Sequence, residues 1–140
     1  MVQQFDGVAK AILDPDSIVT EGVLARIAEA EHFLTERQFD LALNVLRSLD
    51  AADPQVASHL AYALYETHRH GEVVSLLVDR SIAGLQQEDV QHCIWSLCEL
   101  RRFPQARDWL GHHGRFHTTS AKVFRRLVLQ RFPELGQDTK

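Results

Sequence analysis

From Thr20 onward, apolar residues return every three or four positions, a spacing that predicts amphipathic helices. Leu24, Ile27, Ala28, Ala30 and Phe33-Leu34 form one stripe, with Thr20 as its expected N-cap. Phe39, Leu41-Ala42-Leu43, Val45-Leu46 and Leu49 form a second. The short link at residues 35–38 predicts that these two helices are antiparallel neighbours. Asp53-Pro54 marks a third start, a capping side chain followed by proline where its missing N–H costs nothing. That helix carries Val56, Leu60, Ala61, Ala63, Leu64 and Tyr65, with Gly71 as its stop. A short helix follows through Val73, Val74, Leu76, Leu77 and Val78, and residues 81–87 read as a connector. Residues 90–100 are the most apolar stretch, and Phe103-Pro104 opens a helix through Ala106, Trp109 and Leu110. Gly111-His-His-Gly114 is expected to break the chain. Thr118 or Thr119 then caps a last helix through Val123, Phe124, Leu127, Val128 and Leu129, ending near Pro133. The expected organisation is an irregular segment at 1–19, a helical domain at 20–132 and a disordered tail at 133–140.

Paired helices at regular spacing raise the question of an internal repeat. Ala30, Phe33, Arg37, Phe39, Ala42, Leu46 and Pro54 place small, aromatic and bulky residues at spacings that resemble a tetratricopeptide (TPR) repeat. The alanine of such a pair sits where two helices cross too closely for a larger side chain. The pattern returns with Leu60, Ala63, Leu64, Gly71, Val73 and Leu76, and Phe39 to Val73 spans the 34-residue TPR period. It returns again with Ile94, Leu97, Phe103, Ala106 and Leu110, Phe103 standing 30 residues after Val73. In this register the second pair has Leu76 where the alanine belongs. The expected fold is all-α: a TPR-like right-handed stack of about three helix pairs with a C-terminal capping helix from about Thr119 to Arg131. The alternative is an unrelated helical bundle.

In a TPR stack the first helix of each pair lines a concave surface. The register above puts Leu24, Ile27, Glu31 and Leu34 there, then Ala61, Tyr65, His68 and Arg69, then Gln91, Trp95, Cys98 and Glu99. The apolar and aromatic members, Leu24, Ile27, Leu34, Ala61, Tyr65, Trp95 and Cys98, form the expected partner-binding groove, with Tyr65 and Trp95 as anchors. Such a groove suits the apolar face of an amphipathic helix. It does not suit a C-terminal carboxylate, because Ile27, Ala61 and Gln91 stand where basic residues would be needed. Left empty, it is also a surface through which the chain could pair with a second copy.

The run His92-Cys-Ile-Trp-Ser-Leu-Cys-Glu-Leu-Arg101 resembles the last repeat of TPR-type chaperones for type III secretion needle subunits. Leu24-Ala-Arg-Ile-Ala28 is similar to the opening helix of that family, and residues 58–64 with 71–77 to its middle pair. The resemblance covers about residues 23–110, and Cys-Glu-x-Arg is its distinctive element. It implies a cytoplasmic chaperone holding the aggregation-prone C-terminal helix of a needle subunit, with a small helical co-chaperone against the first repeat. The family's groove residues then fall on Leu34, Ala61, Tyr65, Trp95 and Cys98. Residues 1–19, the basic last helix and Arg102-Phe103 depart from the family pattern. A generic TPR scaffold in another complex is the alternative.

Composition changes this picture little. The 140 residues are 45% hydrophobic and 24% charged, ordinary for a chain that folds around one core. No run approaches the roughly 20 apolar residues of a membrane helix, and the first residues lack a signal-peptide pattern. Cys93 and Cys98 are five apart on a helical stretch, where they do not face each other; a reduced, cytoplasmic setting is expected. Charge is uneven: residues 1–60 hold ten acids and four bases, while residues 115–131 hold five bases and no acid. With a net charge of −4, the basic stretch reads as a solvated helix face and not as a nucleic-acid site.

Eight histidines invite a metal reading, the remote alternative here. Zinc sites need converging ligands at set spacing, and neither His-Glu-x-x-His nor Cys-x-x-Cys occurs. No phosphate loop, nucleophile elbow or apolar carboxylate pair is present. The expectation is a binding protein without catalytic residues, metal or cofactor.

Overall fold

In a computed structural model of the chain, residues 15–137 are described, and they are helical without any strand among them. Seven helices follow one another among the described residues: α1 Pro15–Thr35, α2 Phe39–Leu46, α3 Pro54–Glu66, α4 His70–Leu77, α5 Gln87–Glu99, α6 Phe103–His113 and α7 Thr119–Arg131. Single 3-10 turns lie at Ile82–Gly84 and Pro133–Gly136. Among the described residues, no helix is long and apolar enough to cross a membrane.

The starts follow local chemistry. Asp53 caps α3, its Oδ1 accepting from the backbone N–H of Gln55 at 2.8 Å and of Val56 at 3.3 Å. Thr118 caps α7 by accepting from the Ala121 N–H at 3.0 Å. The first helix begins earlier than its apolar stripe: it runs from Pro15, so 15–19 are not irregular. Proline suits the first turn, where its absent donor would be unsatisfied anyway. The rest of the expected irregular segment, residues 1–14, lies outside the described residues. Gly111 does not stop α6, which continues to His113 and ends at Gly114.

The chain divides into two compact units, residues 1–59 and 60–140, and the division falls inside α3. In the first, α1 packs on α2, burying Ile27, Ala30 and Leu34 from one and Ala42, Leu43, Val45 and Leu46 from the other. Arg26 donates to Ser48 Oγ at 2.7 Å, and Glu31 Oε2 lies 2.9 Å from His59 Nε2. In the second, α5 is central, packing on α4, α6 and α7. Val90, Cys93, Ile94, Leu97 and Cys98 of α5 are buried, the valine, isoleucine and leucine each contributing roughly 1.5–3 kcal/mol.

The C-terminal segment belongs to this second core. Phe132 and Leu135 are each 1% exposed, and the Pro133–Gly136 turn packs on α6 and α7. Arg101 pairs with the Glu134 carboxylate at 2.6 Å, and Arg107 donates to the Glu134 carbonyl at 3.1 Å. The expectation of a disordered tail from 133 is therefore corrected: Phe132 packs against Trp95 and Phe103, and Leu135 is buried in the turn that follows. Residues 138–140 lie outside the described part.

One backbone device recurs three times. Arg37, His68 and Arg101 have positive φ of 59°, 62° and 62°, and each stands two residues before the helix that follows. Each is the C′ residue of a Schellman turn, in which Gln38, Arg69 and Arg102 donate to the Phe33, Leu64 and Leu97 carbonyls at 2.8, 2.9 and 2.8 Å. Their φ, ψ values are −95°, 71°, then −92°, 64°, then −96°, 63°. The pairs α1–α2, α3–α4 and α5–α6 are thus closed by the same turn, a geometry compatible with a TPR-like stack.

The turn also corrects the register. Arg37 to His68 is 31 residues and His68 to Arg101 is 33, in place of the 34 and 30 read from apolar spacing. His70, not Val73, corresponds to Phe39 and Phe103. Val73 itself takes the close-crossing position of Ala42 and Ala106, and all three are completely buried. Ala30, Ala61 and Ile94 correspond likewise and are equally buried.

Candidate functional site

Corrected by these three residues, the matching positions of the first helices run Ile27, Glu31, Leu34, then Ser58, Tyr62, Tyr65, then Gln91, Trp95, Cys98. The seven groove residues expected from sequence do not share one fate. Leu24, Ile27 and Leu34 lie in the first unit, and Ala61, Tyr65, Trp95 and Cys98 in the second. Ile27, Leu34, Ala61 and Cys98 are buried in the core and offer a partner no surface. Leu24 is the opposite, at 53% exposed. Tyr65 and Trp95 are the two that combine a large aromatic surface with partial exposure.

Tyr65 is part of an aromatic group that its flanking helices assemble. Its ring lies 4.6 Å from that of His92 on α5, tilted by 32°, and Tyr62 stands one turn back at 5.9 Å from the same imidazole. His70, at the start of α4, meets Tyr65 edge-on at 5.9 Å, and its Nδ1 lies 2.9 Å from Ser96 Oγ. Tyr62, Tyr65, His92 and His70 are all half-buried, so each keeps part of its surface in solvent. The i, i+3 spacing of Tyr62 and Tyr65 on α3 puts both rings on the α5 side of that helix. Tyr62 and His92 escaped the sequence register; the shared Arg/His-x-Phe/His spacing at the three turns was the signal that would have found Tyr62.

The electrostatics keep this face uncharged near neutrality. Burial pushes the His92 imidazole down to about 4, against the opposing pull of Glu66 and Glu88. His92 Nδ1 is buried and has no hydrogen-bond partner among the described residues. Burial likewise lowers His70, and burial, then Glu66 and Glu99, raise the Tyr65 hydroxyl. The surface is therefore aromatic and neutral, with Glu66, Glu88 and Glu99 at its margin.

Trp95 continues it less freely. Its Nε1 donates to Glu99 Oε2 at 3.1 Å, and Phe132 meets the indole edge-on at 5.2 Å with Phe124 at 6.4 Å. The C-terminal segment covers part of the ring.

A second cluster is structural. His113 is fully buried; its Nδ1 is 3.0 Å from Arg125 Nη1 and its Nε2 is 3.0 Å from Gln91 Oε1. A guanidinium only donates, so Nδ1 accepts, the proton sits on Nε2, and Gln91 accepts from it. Arg125 also donates to the His113 and Phe116 carbonyls at 3.0 and 3.1 Å, and Gln87 links Gln91 to Thr118. Burial, reinforced by Arg125 and Arg115, lowers His113 to about 4. This network fastens α7 to α5 and α6.

Among the described residues no group of three or more His, Cys, Asp or Glu is placed to hold a metal ion. Cys93 and Cys98 are free, and burial raises both thiols to about 12, far from nucleophilic thiolates. Comparison with protein-family models, with curated proteins and with solved structures found no match to this chain. What the fold and face define on their own is an all-helical protein with a neutral aromatic surface across α3 and α5.

Proposed function

We propose that this chain is a TPR-type protein-binding module, and that the Tyr62–Tyr65–His92 face receives the apolar side of a partner's amphipathic helix. The observation that carries the reading is the half-buried Tyr65–His92 stack at 4.6 Å, continued by Tyr62. Aromatic rings held rigidly by neighbouring helices give a partner large contact area at small entropic cost, which is why tyrosine and tryptophan dominate binding hot spots. A neutral face rimmed by glutamates favours an apolar helix whose flanks carry basic residues.

The resemblance of residues 92–101 makes the particular reading an export chaperone in the cytoplasm. Its client would be a secretion needle subunit whose C-terminal helix is held until delivery, and a small co-chaperone would meet the first helix pair. Hydrogen exchange of the chain alone and bound to its captured partner tests this. Slowed exchange in α3 and α5 supports the assignment; protection confined to α1 or α7 removes it.

A further inference from the structure

A second exposed surface lies on α7. Among the large apolar residues left exposed, three sit on α7: Val123 at 43%, Leu127 at 50% and Leu129 at 39%. This helix carries four bases and no acid. Arg125 is turned inward to His113, and the Arg131 guanidinium lies 4.6 Å over the Phe132 ring. Lys122 and Arg126 are exposed and make no side-chain ion pair among the described residues. Lys122 with Arg126, and Val123 with Leu127, are each i, i+4 pairs, so a basic ridge runs beside an apolar one.

Helix α1 presents the complementary pattern. Glu21, Leu24, Ala25, Ala28 and Glu29 are all exposed. A leucine and two alanines, small enough for close helix approach, lie between carboxylates. Among the described residues Glu29 has a 3.9 Å contact to Arg26. Residues 15–59 as a whole carry eight acids and three bases.

We infer that the exposed face of α7 in one copy of this chain docks on the exposed face of α1 in a second copy, a salt-dependent self-association. Val123 and Leu127 meet Leu24, Ala25 and Ala28, while Lys122 and Arg126 meet Glu21 and Glu29. Charge complementarity selects the occupant: an acidic, apolar helix is what α7 fits, and this chain displays one. The contact is of helix-pair size, smaller than the roughly 1,600 Å² of a stable complex, so the association is reversible and tightens at low salt.

Sedimentation velocity at low and high ionic strength tests it on the full chain. The wild-type chain should associate at low salt and dissociate at high salt. A Lys122→Glu/Arg126→Glu chain and a Glu21→Lys/Glu29→Lys chain should each associate at least about tenfold more weakly, because each places like charges opposite one another. Mixing the two restores opposite signs at both contacts and should recover wild-type association, which a folding defect in either variant would not allow. A monomeric wild-type chain at low salt, an unchanged variant or an inert mixture would overturn the inference. Recruitment of a monomeric wild-type chain to phosphatidylserine vesicles would do so too, and would assign the α7 face to membranes.

Discussion

The Arg101 guanidinium lies 4.7 Å over the ring of Phe103, and Arg37 stands 5.0 Å over Phe39 in the same relation. His68 and His70 occupy the corresponding positions at 5.9 Å. In each case a residue in the left-handed region folds its side chain onto the first residue of the next helix. The contact offsets part of the cost of positive φ in a non-glycine residue.

Because the His68–His70 contact is the longest of the three and involves no guanidinium, glycine should help most there. His68→Gly should stabilise the chain by about 0.5–1 kcal/mol, since glycine adopts this conformation without a Cβ penalty. Arg101→Gly should give no gain, as it also removes the Phe103 contact and the Glu134 pair. Urea denaturation of the two variants checks the order.

How much of this was legible beforehand depends on which force wrote the pattern. Helix existence follows from apolar periodicity, and the caps at Asp53 and Thr118 follow from side chains that compete for backbone N–H groups. The register of the second pair did not follow, because Val73 fills a place where Ala42 and Ala106 suggest alanine. Apolar matching therefore slid by three residues, bringing Ala61 to the surface on paper while the fold buries it. Leu135 escapes local reading for another reason: a proline and polar neighbours signal a chain end from 133, and only tertiary packing, with Phe132 against Trp95 just before it, reveals a core residue.

That contact predicts a large penalty for truncating Phe132. Phe132→Ala should cost about 3–5 kcal/mol, the range for emptying a buried aromatic site, and should alter the Trp95 emission spectrum. Thermal melts followed by tryptophan fluorescence report both effects. A Phe132 ring that did not pack on Trp95 would give neither.

Acid should weaken the fold through its buried histidines. His92 and His113 are held down to about 4 from the ordinary 6.5, so between those values the unfolded chain binds protons that the folded chain refuses. Their contribution is complete above 6.5 and is lost as pH falls towards 4. Glutamine at 113 can still accept from Arg125 and donate to Gln91 but does not titrate. His113→Gln should therefore flatten the fall of the urea midpoint across this window, leaving the part due to His92.

The central claim is that a neutral aromatic face on α3 and α5 holds a partner polypeptide. Affinity capture from an extract of the source cells, comparing the wild-type chain with Tyr62→Ala/Tyr65→Ala, tests it most directly. Circular dichroism of both proteins accompanies the capture. A polypeptide retained in stoichiometric amount by the wild type and lost from an equally helical variant is the predicted result. Undiminished retention by the variant would contradict the account.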